Sequence, residues 1–194
     1  QLEKIRQSFL NLSTEIPVSA NELAKIGEVA GQLGIKTENI VDFTKTIADL
    51  GATTNLSSEE GAASLAQFMA VMGTSQSSIR NLGSTLVELG NNFATNEKSI
   101  VEMSQRLSGM GKQTNMSEAD VLGLAAAMST VGIEAEAGGS AMTQVMTKMQ
   151  NAVMSGGENL GKFAKAAGVS ASEFANAFNN RPVEALELVL KGLK

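Results

Sequence analysis

Four short phrases share one helix-start chemistry: "SANE" at Ser19 to Glu22, "SSEE" at Ser57 to Glu60, "SEAD" at Ser117 to Asp120 and "SASE" at Ser170 to Glu173. In each, a serine oxygen can accept from a free backbone N–H in the first turn of a helix. An acidic residue follows where the helix dipole favours negative charge. Each phrase precedes a run with apolar residues at helical spacing. Gly34, Gly51, Gly73, Gly111, Gly132 and Gly168 fall where such runs end, the positions of C-terminal caps. No stretch alternates apolar and polar residues over the length of a strand. The pattern predicts an all-α fold: a compact bundle of about nine or ten short helices, paired as hairpins, with no sheet. Leu65, Phe68, Val121, Leu124, Met128, Val145 and Met149 fall on apolar faces and are expected in the core.

Composition narrows the chemistry. With no histidine and no cysteine, the chain lacks the commonest general base and metal ligand as well as every thiol nucleophile. Lysine and arginine are absent between Lys45 and Arg80 and again between Lys112 and Lys148, and the net charge is −5. No basic stripe can track a phosphate backbone, and without tyrosine or tryptophan little is left to stack bases on. Direct nucleic-acid binding is not expected. The acidic pairs Glu59–Glu60 and Glu134–Glu136 look like helix-start charges, not two carboxylates flanking a pocket. No catalytic, cofactor-binding or metal-ligating residue is predicted, and no cofactor. Gln1 at the start and "KGLK" at the end suggest a piece of a longer or processed protein.

One phrase comes close to a phosphate-binding loop. In "GGENLGKF", Gly156, Gly161 and Lys162 match G-x-x-x-x-G-K. Three features oppose the match. Phe163 stands where magnesium needs a hydroxyl, Glu158 puts negative charge into the phosphate nest, and the preceding segment is spaced as a helix and not a strand. Gly156 and Gly157 are read instead as a joint between two helices. The uncharged run from Gly61 to Ile79 is long enough to span a bilayer, but "TSQSS" fills its second half; a buried helix followed by a polar turn is expected.

Residues 1–16 differ from the rest. Leu2, Ile5, Phe9, Leu12 and Ile16 are spaced 3, 4, 3, 4, a heptad seam of two heptads before Pro17. The seam suits either an amphipathic helix on the domain core or the end of an upstream coiled coil. Residues 17–194 read as a helical core. Within it, "IVDFTKTIADLGATTNLS" from Ile40 lies over "IVEMSQRLSGMGKQTNMS" from Ile100, an offset of 60 residues. The offset suggests two related units, about 34–90 and 94–150, plus a C-terminal helical piece, 151–194. Convergent capping chemistry is the alternative. Gly27-x-x-x-Gly31 and Ala62-x-x-x-Ala66-x-x-x-Ala70 suit close helix crossings. Met142, Val145, Met146, Met149 and Val153 share one apolar helical face. Methionine fills cores, and it also makes adaptable contact surfaces for partner chains; this face is the candidate for such contact.

The stretches "IADLGATTNLSSEEGAASLAQFMAVMG" and "TNMSEADVLGLAAAMSTVGIEAEAGGSAMTQVMTKM" resemble the core region of tail tape measure proteins of long-tailed bacteriophages and prophages. The "NLSSEE" and "NMSEAD" helix starts, the Ala/Met-rich helices and the "STVGIEAEAGGSAM" joint carry the resemblance, and "FNNRPVEALELVLKGL" looks like the close of that region. It covers about residues 15–194. The resemblance implies a structural, non-catalytic part of a phage tail that helps set tail length and organise tube and tip assembly. It implies tail-tube and tail-tip or baseplate proteins as partners, a homo-oligomer within the tail, and a place in the tail interior after synthesis in the host cytoplasm. Membrane contact is expected only at DNA ejection. The alternative reading is a membrane-perturbing helical module acting in ejection.

Overall fold

The computed structural model describes residues 1–193; Lys194, the last residue of the expected C-terminal piece, lies outside them. The described residues form eleven α-helices and no strand. They are α1 (Leu2–Glu15), α2 (Ala20–Gln32), α3 (Ile40–Thr53), α4 (Ser58–Met72), α5 (Ile79–Asn92), α6 (Glu97–Gln113), α7 (Glu118–Thr130), α8 (Ala135–Ser155), α9 (Gly157–Ala167), α10 (Ala171–Asn180) and α11 (Pro182–Gly192), with one 3-10 turn at Gln76–Ser78. The count exceeds nine or ten because the end of the chain is cut into three helices of 10 or 11 residues.

All four serine-led starts are helix N-termini. Ser19, Ser57, Ser117 and Ser170 accept from the backbone N–H of Glu22, Glu60, Asp120 and Glu173. At Ser117 and Ser170 the acid also accepts from the serine N–H, closing a capping box. The glycines divide. Gly34, Gly73, Gly132 and Gly168 adopt the left-handed backbone that ends a helix. Gly51 and Gly111 do not stop their helices. They lie inside α3 and α6, because a side chain there would collide with the first turn of the next helix, Ser58 after Gly51 and Val121 after Gly111. The spacing signal at these two positions reports close packing, not termination.

Helix starts recur with a regular step. α1, α3, α5, α7 and α9 begin at Leu2, Ile40, Ile79, Glu118 and Gly157, steps of 38 or 39 residues. α2, α4, α6 and α8 begin at Ala20, Ser58, Glu97 and Ala135 with the same step. Each of the first six helices touches the helix two places on: α1 on α3, α2 on α4, α3 on α5, α4 on α6, α5 on α7 and α6 on α8. Three polar ties hold this register at a separation of 38: Arg80 donates to Asp42, Lys98 to Glu60, and Gln105 to Gln67. The chain is thus a stack of helical hairpins in two alternating rows. Residues 157–192 close it, with α9, α10 and α11 packed on one another and α9 and α10 against α8.

The core runs through the whole stack. Phe43, Phe68, Phe174, Leu23, Ile26, Ile47, Leu65, Ile79, Leu86, Ile100 and Met103 are among the largest side chains closed to solvent, each worth about 1.5–3 kcal/mol of burial. Leu65, Phe68, Val121, Met128 and Met149 are buried as expected; Leu124 is half-buried and Val145 faces outward. Phe9 and Leu12 of the heptad seam join this core. Gly27 lets α2 approach Phe9 and Thr44, while Gly31 is exposed; Ala62 and Ala66 are buried and Ala70 is exposed. The run from Gly61 ends its helix at Met72 and turns at Gly73.

Candidate functional site

α8 is the longest helix, with 21 residues, and it carries the methionine face. Gly138 and Gly139 bring its first turns against α6 and α7. A side chain at Gly138 would meet Ile133, Met128 and Met103, and one at Gly139 would meet Arg106. Farther along, Met146 and Met149 are fully buried and Ala152 is nearly so. Met142 and Val153 are half-buried and pack against the core. Val145 is 38% exposed. The five residues therefore differ in exposure. The pair at the centre of the stripe fills the core, and Val145 lies at its rim because, at 3.6 residues per turn, it sits about 60° round the helix from the stripe's centre.

α8 presents to solvent the apolar Ala137, Ala141, Val145 and Met154 beside Glu136, Ser140, Gln144, Lys148, Asn151 and Ser155. Val131 and Ile133, in the joint before it, are also exposed. From Val121 to Thr147 the only charged residues are Glu134 and Glu136, and Lys148 follows, so this outer strip is sparsely charged. Sequence reasoning missed Val131, Ile133 and Met154, which belong to no periodic face. Beside the strip, a cleft of about 500 Å³ opens between α8, α9 and α11. Its floor is apolar, with Ala152, Phe163, Ala166 and Val189, and Lys148 and Lys162 stand among its lining residues.

The glycine phrase lies at the same place. Gly156 and Gly157 turn the chain from α8 directly into α9, with φ of 66° and 68°. Lys162 pairs with Glu158 across one helical turn at 2.8 Å, and Phe163 stacks on Phe174 with ring centres 5.9 Å apart. A helix, not a strand, precedes the glycines. The lysine is paired within α9, and the aromatic ring holds α9 to α10.

The shifted carboxylates are also structural. Glu60 is held below the usual carboxylate range by the Ser57 hydroxyl and then by Lys98; Glu173 is held down by the Ser170 hydroxyl and backbone N–H. Both are exposed groups at helix starts, not acids in a cleft. Glu134 and Glu136 stand at the start of α8. Among the described residues no three acids gather as a metal site, and no helix is long and apolar enough to cross a membrane.

The described residues define an all-α protein, a stack of capped helical hairpins closed by three short helices. The family model of the phage-related minor tail protein matches residues 6–194, and the chain belongs to that family, the family of tape measure proteins. It is a phage tail component, other tail proteins are its partners, and its family is generally non-catalytic. No curated protein and no solved structure matches the chain.

Proposed function

We propose that this chain is the folded segment of a tape measure protein that anchors and organises assembly, helping to set tail length without itself being the extended ruler. One observation carries this reading: the chain folds back at every turn, and ties at a 38-residue separation lock parallel helices side by side. A ruler gains length along one axis, about 1.5 Å per residue in a continuous helix, whereas no helix here exceeds 21 residues. In the tail interior the segment meets tail-tube and tail-tip or baseplate proteins through the outer strip of α8, around Val145 and Met154 with half-buried Met142 and Val153, and several copies act together.

The two stretches at about 34–90 and 94–150 are, in this reading, copies of one helical unit. Their local chemistry agrees. Thr54 and Thr114 donate to the carbonyls of Leu50 and Met110, Leu56 and Met116 are buried, and Ser57 and Ser117 cap the next helix. Excising residues 51–110 from the full-length gene tests the anchor. A ruler segment gives abundant, uniform tails shortened by about 90 Å, from 1.5 Å per residue. An anchor gives few or no tails, and abundant shortened tails in electron micrographs would refute it.

A further inference from the structure

Residues 157–193 are joined to the stack differently from the hairpins before them. Polar ties cross the middle interfaces. Arg80 donates to Asp42 and Lys98 to Glu60 between the second hairpin and the third, and Ser129 donates to the Ser99 carbonyl and Gln113 to Gln150 between the third and the fourth. The first hairpin has no such tie, but both of its helices pack on α3, and α2 packs on α4 as well. Residues 157–193 have neither kind of hold. Among the described residues no side-chain hydrogen bond or ion pair crosses from them to the helices before; Lys162, Arg181 and Lys191 pair with Glu158, Glu184 and Glu187, all inside the unit. α9, α10 and α11 each pack on the other two, and their substantial contacts with the stack are those of α9 and α10 with α8.

The joint itself is one residue long. Gly156 separates α8 from α9 with φ 66° and ψ −153°, a conformation open essentially to glycine alone. Gly157, the first residue of α9, is left-handed too, with φ 68°. Nothing lies within 4 Å of a side chain built at either position. No neighbour demands these two glycines, and the chain has room to rotate about them. α9 also starts without a side-chain cap. Past the joint the two bodies part around the cleft of about 500 Å³. Lys148, Asn151 and Ala152 of α8 form one wall, and Phe163 and Ala166 of α9 with Val189 of α11 form the other. The joint and both walls lie inside the described residues. We infer that residues 157–193 are a hinged unit, swinging as one body about Gly156–Gly157 to open and close this cleft. Opening bares Ala152 and Phe163 next to the exposed Met154, so the swing sets how much apolar surface this end of α8 offers. The hinge belongs to this joint and does not rest on the anchor role.

Pulsed electron double resonance on the purified chain reads the swing directly. The chain has no cysteine, so nitroxide labels go only where a cysteine is introduced. Gln144→Cys with Asn179→Cys spans the joint, and Gln144→Cys with Glu102→Cys spans α8 and α6 inside the stack; all three positions are exposed. The expected result is one narrow distance for the stack pair and two components for the pair across the joint. Gly157→Ala shifts the balance of those two components about fivefold or more, since alanine disfavours a left-handed backbone. The stack pair and the circular dichroism stay as they were. Gly161→Ala, inside α9 with equally open surroundings, moves neither pair. A distance across the joint as narrow as that of the stack pair overturns the inference, and this comparison decides by itself if Gly157→Ala does not fold. A balance indifferent to Gly157→Ala, or moved as far by Gly161→Ala, overturns it too. So does a Gly157→Ala chain in which the stack pair broadens equally, which would indicate general loosening and no hinge.

Discussion

Gly109 and Gly111 are two residues apart on α6 and meet opposite surroundings. Nothing lies within 4 Å of a side chain built at Gly109, whereas one at Gly111 runs into Val121 of α7. Gly109→Ala should therefore stabilise the protein by about 0.5–1 kcal/mol, from helix propensity alone. Gly111→Ala should destabilise it on the order of 1 kcal/mol, because overpacking outweighs the same propensity gain. Urea denaturation of both variants checks the pair; a gain in both would mean that the α6–α7 contact yields freely. The capping acids make a pH prediction. Glu173 is held below its ordinary pKa by Ser170, so its contribution is present above the unfolded value, about pH 4, and is lost as pH falls through the folded value. Ser170→Ala should cost about 1 kcal/mol at neutral pH and flatten the acid limb of the stability curve, followed as denaturation midpoints against pH. These caps were legible in the sequence because each is a local interaction over three residues. Gly51, Gly111 and Val145 were misread because a glycine that ends a helix and one that admits a neighbour look alike along the chain, and because periodicity does not say how wide a face its neighbours cover.

Among the elements α6 is the hub, packed against α4, α5, α7 and α8. Ile100, Val101, Met103 and Leu107 are closed to water, and even Ser104 and Ser108 are buried with their hydroxyls donated back to Val101 and Gln105. α1 touches only α2 and α3 among its substantial contacts and keeps two of its fourteen residues, Phe9 and Leu12, buried. Hydrogen exchange should accordingly be slowest for amides from Ile100 to Leu107, approaching global unfolding, and fast through local opening in α1. Comparable protection in the two helices would show that the stack opens only as a single cooperative unit. Helix type and most helix starts could be read from spacing and caps. The step of 38 or 39 residues could not. The ties that set it, such as Gln67 with Gln105 and Asp42 with Arg80, join ordinary surface residues that carry no pattern in one dimension. The 60-residue likeness, which is visible in sequence, carries α3 onto α6 and so crosses from one row of helices to the other.

At the scale of the whole molecule, the alternation of rows makes the number of helices removed matter more than the number of residues. Each helix leans on its second neighbours, so a hairpin is the unit of stacking and stability is approximately a sum over units and their interfaces. Deleting residues 40–78 takes out α3, α4 and the 3-10 turn, and places α5 where α3 was, in the same row and direction. Deleting residues 79–96 removes α5 alone; it is a smaller loss, yet α6 then follows α4 in the wrong row and every later helix is inverted against its neighbours. The hairpin deletion should keep a helical circular dichroism spectrum and one cooperative melting transition at a lower temperature. The single-helix deletion should lose the cooperative transition or aggregate, with apolar faces such as that of Ile100, Met103 and Leu107 left uncovered. Thermal melts of the two purified variants decide it. If the single-helix deletion melts as sharply as the hairpin deletion, the helices pack without regard to row, and the 38-residue ties follow from the fold and do not set it.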